Sequence, residues 1–221
     1  METTKKNDFI AFEFIANVKD GDVFDTNITD EAKKLGYKEE VKPSKVCVGQ
    51  KMVVSGLDKA LEDKEIGKEY TIELSPKDAF GNRDSSLIRT YPLKAFHARQ
   101  INPQPGMVLA LDNSLAKVIS VSGGRVIIDM NNPLSGKNVV YKIKILNKIE
   151  ELKEKAEALI DFLYHQPFEF ELKDKEIIIK APKQIEKLIL IYKDKFKEIL
   201  DLELKFAEAE MKKSEKKEEK A

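Results

Sequence analysis

Apolar and polar positions alternate imperfectly along residues 9–18, with Phe12 and Phe14 on one face, and the run stops at Lys19-Asp20-Gly21. That tripeptide is a hairpin turn into Val23-Phe24-Asp25, so the chain is expected to begin with two paired strands. Residues 26–43 form a polar loop with a helical turn around 31–35, and residues 45–49 resume a strand. Residues 49–81 then read as a strand, a tight turn, a short helix at 57–61 and a second strand. Ser55 is placed to cap that helix, with Asp58 three positions on as the acidic member of a capping box and Leu57, Ala60 and Leu61 facing inward. Gly67 closes the stretch; Tyr70, Ile72 and Leu74 alternate as a half-buried strand, and Ala79-Phe80-Gly81 ends the segment. An apolar helix floor thus lies beside an aromatic rim, which describes a binding site before any chemistry is assigned.

Beyond Gly81 the texture changes. Pro92, Pro103 and Pro105 precede short strands at 107–111, 116–121 and 125–130, joined by Asp112-Asn113-Ser114 and Ser122-Gly123-Gly124. Residues 139–146 then form a long alternating strand with Val139, Tyr141, Ile143 and Ile145 on one side, and it needs an earlier sheet to join. The simplest topology is an insertion. Residues 84–130 interrupt a β domain that starts upstream and finishes at 131–150.

A third unit follows at 151–211. Leu152, Ala156, Leu159 and Leu163 recur at helical spacing; Phe168-Glu169-Phe170-Glu171-Leu172 alternates, turns at Lys173-Asp174-Lys175, and returns over 176–180. From Pro182 onward, Ile185, Ile189, Tyr192, Phe196 and Ile199 predict one long helix. Phe196, Leu200, Leu204, Ala207 and Met211 trace a second stripe on it. Two apolar stripes exceed what one hairpin can cover, so this helix is expected to present a partner surface. Residues 212–221 are a Lys/Glu tail that cannot pack.

Composition removes several alternatives. A chain of 221 residues with 42% apolar side chains is long enough for a core and at least one satellite. Its 39 basic and 39 acidic residues cancel, so there is no basic excess of the kind nucleic acid selects. The Lys/Glu richness suits a protein that works at high temperature. Cys47 is alone, which excludes an intramolecular disulfide and points to a reducing compartment with the thiol as a small core residue. The first residues, METTKKNDF, hold no apolar h-region, and no run approaches the roughly 18 residues of a membrane span. A soluble, cytoplasmic protein is expected.

No conventional catalytic set is present. His97 and His165, the only histidines, lie in different units, so neither a Ser-His-Asp triad nor a histidine metal site can be assembled. No phosphate-binding loop occurs. What remains is an aromatic and aliphatic set from separate strands: Phe14, Phe24, Val53, Val54, Leu57, Phe80 and Tyr141, with Asp25 beside Phe24.

At these residues the chain resembles the FKBP family of peptidyl-prolyl isomerases, and within it the SlyD-type proteins with an insert in the flap. Asp20-Gly21-Asp22-Val23-Phe24-Asp25 is similar to the family's Asp-Gly-x-x-Phe-Asp hairpin. Val53-Val54-Ser55-Gly56-Leu57 is similar to its strand-to-helix junction, with Leu57 as pocket floor. Ser75-Pro76-Lys77-Asp78-Ala79-Phe80-Gly81 resembles the Pro-x-x-Ala-Tyr-Gly flap entrance, and Leu134-Ser135-Gly136-Lys137-Asn138 the Leu-Ala-Gly-x-Asn return. The likeness spans residues 8–150.

The resemblance implies an α+β fold: an FKBP-type antiparallel sheet wrapped on a short helix (1–83 plus 131–150), a small inserted β-rich domain (84–130) and a C-terminal α+β domain (151–211). It implies a proline ring seated on Leu57 between Phe24, Val53 and Tyr141, with the Val54 N–H donating to a substrate carbonyl and Asp25 facing the twisting carbonyl. Phe14 and Phe80 stand where the family usually has Tyr, so both hydroxyls are missing. Of Leu87, Ile88, Tyr91, Leu93, Phe96, Met107, Val108 and Leu109, half must build the insert's own core, and the remainder would form a groove that holds unfolded, proline-containing chains. No metal or cofactor is implied: the SlyD-type return motif's His is replaced by Asn132-Pro133, and the histidine-rich tail is absent. The expected partners are unfolded or partly folded proteins and a second copy through the C-terminal domain, with no nucleic acid and no membrane.

Overall fold

The computed structural model describes residues 2–111 and 114–208, which form three sheets with separate hydrophobic cores. β1 (Phe9–Val18) turns through Asp20, whose positive φ of 56° suits a hairpin, into β2 (Val23–Thr26). α1 (Thr29–Lys34) follows, then β3 (Ser44–Cys47). One edge of β1 serves both short strands in succession, β3 along residues 9–12 and β2 along 15–17. Asn27 bridges the gap between them. Its Oδ1 accepts from the Phe14 N–H at 2.7 Å and its Nδ2 donates to the Phe12 carbonyl at 2.8 Å, so a buried amide replaces missing strand pairing.

α2 (Ser55–Ala60) begins two residues earlier than its apolar spacing indicates, and the expected capping box does not form. Ser55 Oγ donates instead to the Asp78 carbonyl at 3.2 Å. The buried Asp58 carboxylate turns back to the preceding loop, accepting from the N–H groups of Gly49 and Lys51, each at 2.9 Å. Residues 48–53 are accordingly turn and bend rather than strand. Lys51 sits at φ 58°, a conformation the two charge-assisted bonds hold in place. β4 (Glu69–Leu74) follows.

The chain then leaves for a four-stranded sheet of β5 (Ile88–Pro92), β6 (Val108–Leu111), β7 (Ser114–Ser122) and β8 (Arg125–Asp129), in the order β5-β8-β7-β6, with α3 (Leu93–His97) between the first two. Hydrophobic alternation assigned no element to residues 88–97. Pro92 masked the strand, but at the end of an edge strand proline's missing N–H does no harm, and its extended backbone serves as the N-cap of α3. β9 (Val139–Lys148) rejoins the first sheet between β1 and β4, with Val139, Tyr141, Ile143 and Ile145 buried on the face that α2 covers.

The C-terminal unit comprises α4 (Leu152–Tyr164), β10 (Glu169–Lys173), β11 (Glu176–Ala181), α5 (Glu186–Leu190), α6 (Lys193–Leu200) and β12 (Glu203–Glu208). The single long helix expected after Pro182 is corrected here. It is two short helices and a strand. Asp201 at φ 55° ends α6, and β12 then pairs parallel to β11, with Leu204 opposite Ile177. The spacing Leu200 to Leu204 fits a helix turn, but being even it also fits a strand, and the open edge of β11 selects the strand. Met211 and the charged tail lie outside the described residues. The stripe assigned to a partner is largely used within the chain: Ile189 and Phe196 are buried in the unit's own core, while Leu188 and Ile191 stay exposed.

This unit seats on the first sheet through a cluster of Phe9, Ala11, Cys47, Ile149 and Ala158, with Ile199 and Leu200 packed against it. Lys45 Nζ meets Glu154 at 3.0 Å across the junction. Cys47 is the core residue its pattern predicts; burial, reinforced by the nearby Asp58 and Asp8 charges, pushes its thiol up to about 12.

Candidate active site

The aromatic set converges. Phe24 from β2 meets Phe80 edge-on with ring centroids 5.7 Å apart and Tyr141 from β9 edge-on at 6.3 Å. Phe14 from β1 lies 5.9 Å from the Tyr141 ring. The two edge-on contacts of Phe24 each add about 0.5–1.5 kcal/mol beyond burial and favour a defined ring orientation, while the Phe14–Tyr141 pair is tilted at 47°. Leu57 is fully buried beneath the rings, and Val53 and Val54 pack beside them half-buried. All seven apolar residues singled out in the sequence are thus together around one core.

Two backbone devices bring them there. Gly56, at the start of α2, faces the flap entrance so closely that a Cβ would meet Leu74 Cδ2 at 2.7 Å and Asp78 Cβ at 2.8 Å. Only glycine lets the floor helix and the loop carrying Phe80 touch. On the other side, Ser135 Oγ donates to the Phe80 carbonyl at 3.1 Å and the Gly136 N–H to the Gly81 carbonyl at 2.9 Å, pinning the return turn against the flap.

The polar groups are few. No described group accepts from the Val54 N–H, which stands beside the rings. Asp25 is half-exposed at the rim and accepts from the Tyr37 hydroxyl at 3.2 Å. Burial, and then the Asp25 charge, raises the Tyr141 hydroxyl to about 12, so it remains protonated at any physiological pH. Tyr37 escaped the sequence reading; the Gly36 helix-stop signal beside it was the one clue to its placement. Among the described residues no group of His, Cys, Asp and Glu is arranged to hold a metal.

The insert residues divide. Phe96 and Leu109 are buried in the core of the four-stranded sheet, with the half-buried Tyr91 and Leu93 packed against it, and Tyr91 and Phe96 also line a small apolar cavity of about 110 Å³ with Ile101 and Leu111. Leu87 and Ile88 are half-buried where the chain enters, and Met107 and Val108 are exposed. Leu115 and Ile119, exposed on β7, were missed because a strand pattern does not tell which face is covered. Val108, Leu115 and Ile119 line a cavity of about 470 Å³ that continues to Asn132, Pro133 and Ser135, the residue bonded to the Phe80 carbonyl. The chain crossings at its base are tied by the Arg83–Asp129 ion pair and by Asn131, which donates to the Asp84 carbonyl at 2.9 Å and accepts from its N–H at 2.8 Å.

Comparison with known proteins gives this geometry its family. The profile described as FKBP-type peptidyl-prolyl cis-trans isomerase matches residues 1–97, and one described as the IF domain of FKBP26 matches residues 89–134. The chain is 35% identical over 144 residues to the short-type peptidyl-prolyl cis-trans isomerase of Methanocaldococcus jannaschii, covering 64% of this chain and 91% of that one. The chain belongs to the FKBP family of peptidyl-prolyl cis-trans isomerases. It is also 27% identical over 138 residues to the FKBP-type isomerase SlyD of Aeromonas hydrophila, covering 62% of this chain and 60% of that protein. A crystal structure of the three FKBP domains of wheat FKBP73 shares 13% identity at a TM-score of 0.37, over 68% of this chain and 42% of that one. No helix among the described residues is long and apolar enough to cross a membrane.

The isomerase faces a barrier of roughly 18–20 kcal/mol, because the imide loses resonance as it twists. No bond breaks and no proton moves. A dry apolar cleft favours the twisted form, which has lost charge separation and so loses less on leaving water.

Proposed function

We propose that this isomerase acts on X-Pro bonds in unfolded or partly folded chains, held by the four-stranded sheet while the cleft turns the bond over. In this reading the proline ring lies on Leu57 among Phe24, Val53 and Tyr141, with Phe14 and Phe80 closing the wall. The free Val54 N–H donates to the carbonyl that precedes or follows the ring, and Asp25 faces the twisting carbonyl as a preorganised charge. One observation carries the capture step: the exposed Val108, Leu115 and Ile119 lead along a single cavity to the turn bonded to Phe80. A chain held weakly there would present its prolines to the cleft at high local concentration. Leu188 and Ile191 are the patch through which a second copy would dock, and the reducing cytoplasm is the compartment that suits the lone Cys47 thiol.

The test is refolding of a protein limited by a trans-to-cis proline. The parent accelerates it, and Asp25→Ala and Phe24→Ala each lose most of that acceleration; variants as fast as the parent place the reaction elsewhere. The absence of hydroxyls at Phe14 and Phe80 favours a second reading, a holdase with a weak isomerase site. An uncatalysed rate on a short proline tetrapeptide, with aggregation still suppressed, selects it.

A further inference from the structure

We propose that Tyr37 is a positioning residue for the isomerase reaction: its hydroxyl donates to the Asp25 carboxylate and fixes where that negative charge stands at the cleft. The proposal rests on the cleft assignment above and adds to it a residue from outside the aromatic set. Asp25 lies on a short edge strand, half-exposed, where a carboxylate turns freely unless something holds it. Among the described residues Tyr37 makes the one side-chain hydrogen bond to it, at 3.2 Å. That length exceeds the roughly 2.5–3.0 Å usual for a hydroxyl donor, so the bond as it stands is a weak one.

Tyr37 is not a chance neighbour from a loose loop. The Gly36 N–H donates to the Lys33 carbonyl and the Tyr37 N–H to the Ala32 carbonyl, each at 3.0 Å, with Gly36 at φ 87°. These two bonds make a Schellman motif that ends α1 and sets the direction in which the chain leaves. Ala32, the acceptor, is buried, so Tyr37's backbone is anchored to a packed helix while its ring stands at the rim. Burial, and then the Asp25 charge, raises the Tyr37 hydroxyl above its ordinary value, which keeps it a donor at neutral pH. The arrangement also explains an economy in the cleft. Phe14, Phe24 and Phe80 have no hydroxyl to offer Asp25, and the Tyr141 hydroxyl makes no hydrogen bond among the described residues. With Asp25 satisfied by Tyr37, the Tyr141 hydroxyl is left for a substrate carbonyl.

The experiment is a double-variant cycle on the full chain with a proline tetrapeptide, measuring kcat, KM and thermal midpoint. Tyr37→Phe should lower kcat by about two- to tenfold, the range for one lost hydrogen bond, with KM and the midpoint unchanged. In an Asp25→Ala background the same change should have no further effect. Parent-like kcat in Tyr37→Phe, a loss confined to KM, or an equal loss in both backgrounds each overturns the proposal. Full activity in Asp25→Ala alone overturns the cleft assignment itself, a separate outcome.

Discussion

The cleft and the outer face of the four-stranded sheet are both apolar, yet they are built oppositely. In the cleft, Phe14, Phe24, Phe80 and Tyr141 cover one another with fixed ring contacts over a buried Leu57. On the sheet, Val108, Leu115 and Ile119 stand in solvent, with Leu115 69% exposed. Rotation of an imide needs a dry surface of fixed shape, and such rigidity is stabilised by the core beneath it. Capture of varied sequences needs open apolar area that contributes little to the fold. The two regions should therefore answer differently to substitution.

The largest expected effect is in the cleft floor. Leu57→Ala removes a fully buried side chain and should cost about 2–5 kcal/mol, seen as a lowered midpoint in thermal circular dichroism together with lost tetrapeptide turnover. A near-parent midpoint would mean that the floor is not part of the core. Replacing Val108, Leu115 and Ile119 together by Ser should be the reverse. Stability changes by no more than about 0.5 kcal/mol per site, tetrapeptide turnover stays at the parent level, and suppression of client aggregation weakens about tenfold. Unweakened suppression would move capture off this face.

The smallest effect concerns the tie between the regions. Burial works against the Asp129 charge, but the Asn131 side chain and N–H and the Arg83 guanidinium outweigh it and hold the carboxyl below its ordinary 3.8. A carboxyl depressed in the folded state contributes fully above its unfolded value, and that contribution is lost as pH falls through the folded one. The tie should be constant near neutral pH and loosen only in acid below about pH 4. Amide exchange at residues 83–84 and 131 reads this, and Asp129→Asn should abolish the acid step; a step near neutral pH would assign it to another group.

Where the sequence reading succeeded, period and chemistry agreed. β9 and β10 were legible because alternation continued for five residues between clear turns, β1 and β11 because an apolar run meets a clear turn, and the convergence of the aromatic set because its motifs keep a fixed order. It failed where one spacing satisfies two periods, as at Leu200 and Leu204, and where proline concealed an edge strand at Pro92. It also failed for Asp58, whose carboxylate can serve either its own helix or the loop before it. Ser55 capping depends on the same contest, and the close approach that Gly56 permits drew its hydroxyl to Asp78 instead.

By itself the sequence determined which faces are apolar, which turns are tight and which aromatic residues belong to one motif set, since these follow from local sterics and side-chain polarity. Only the tertiary structure decided which apolar faces are covered and which carboxylates find partners. Leu109 is buried while its neighbour Val108 is open, and Asp25 is held by a tyrosine twelve residues away. Both outcomes depend on what the rest of the chain brings alongside, and no local pattern encodes that.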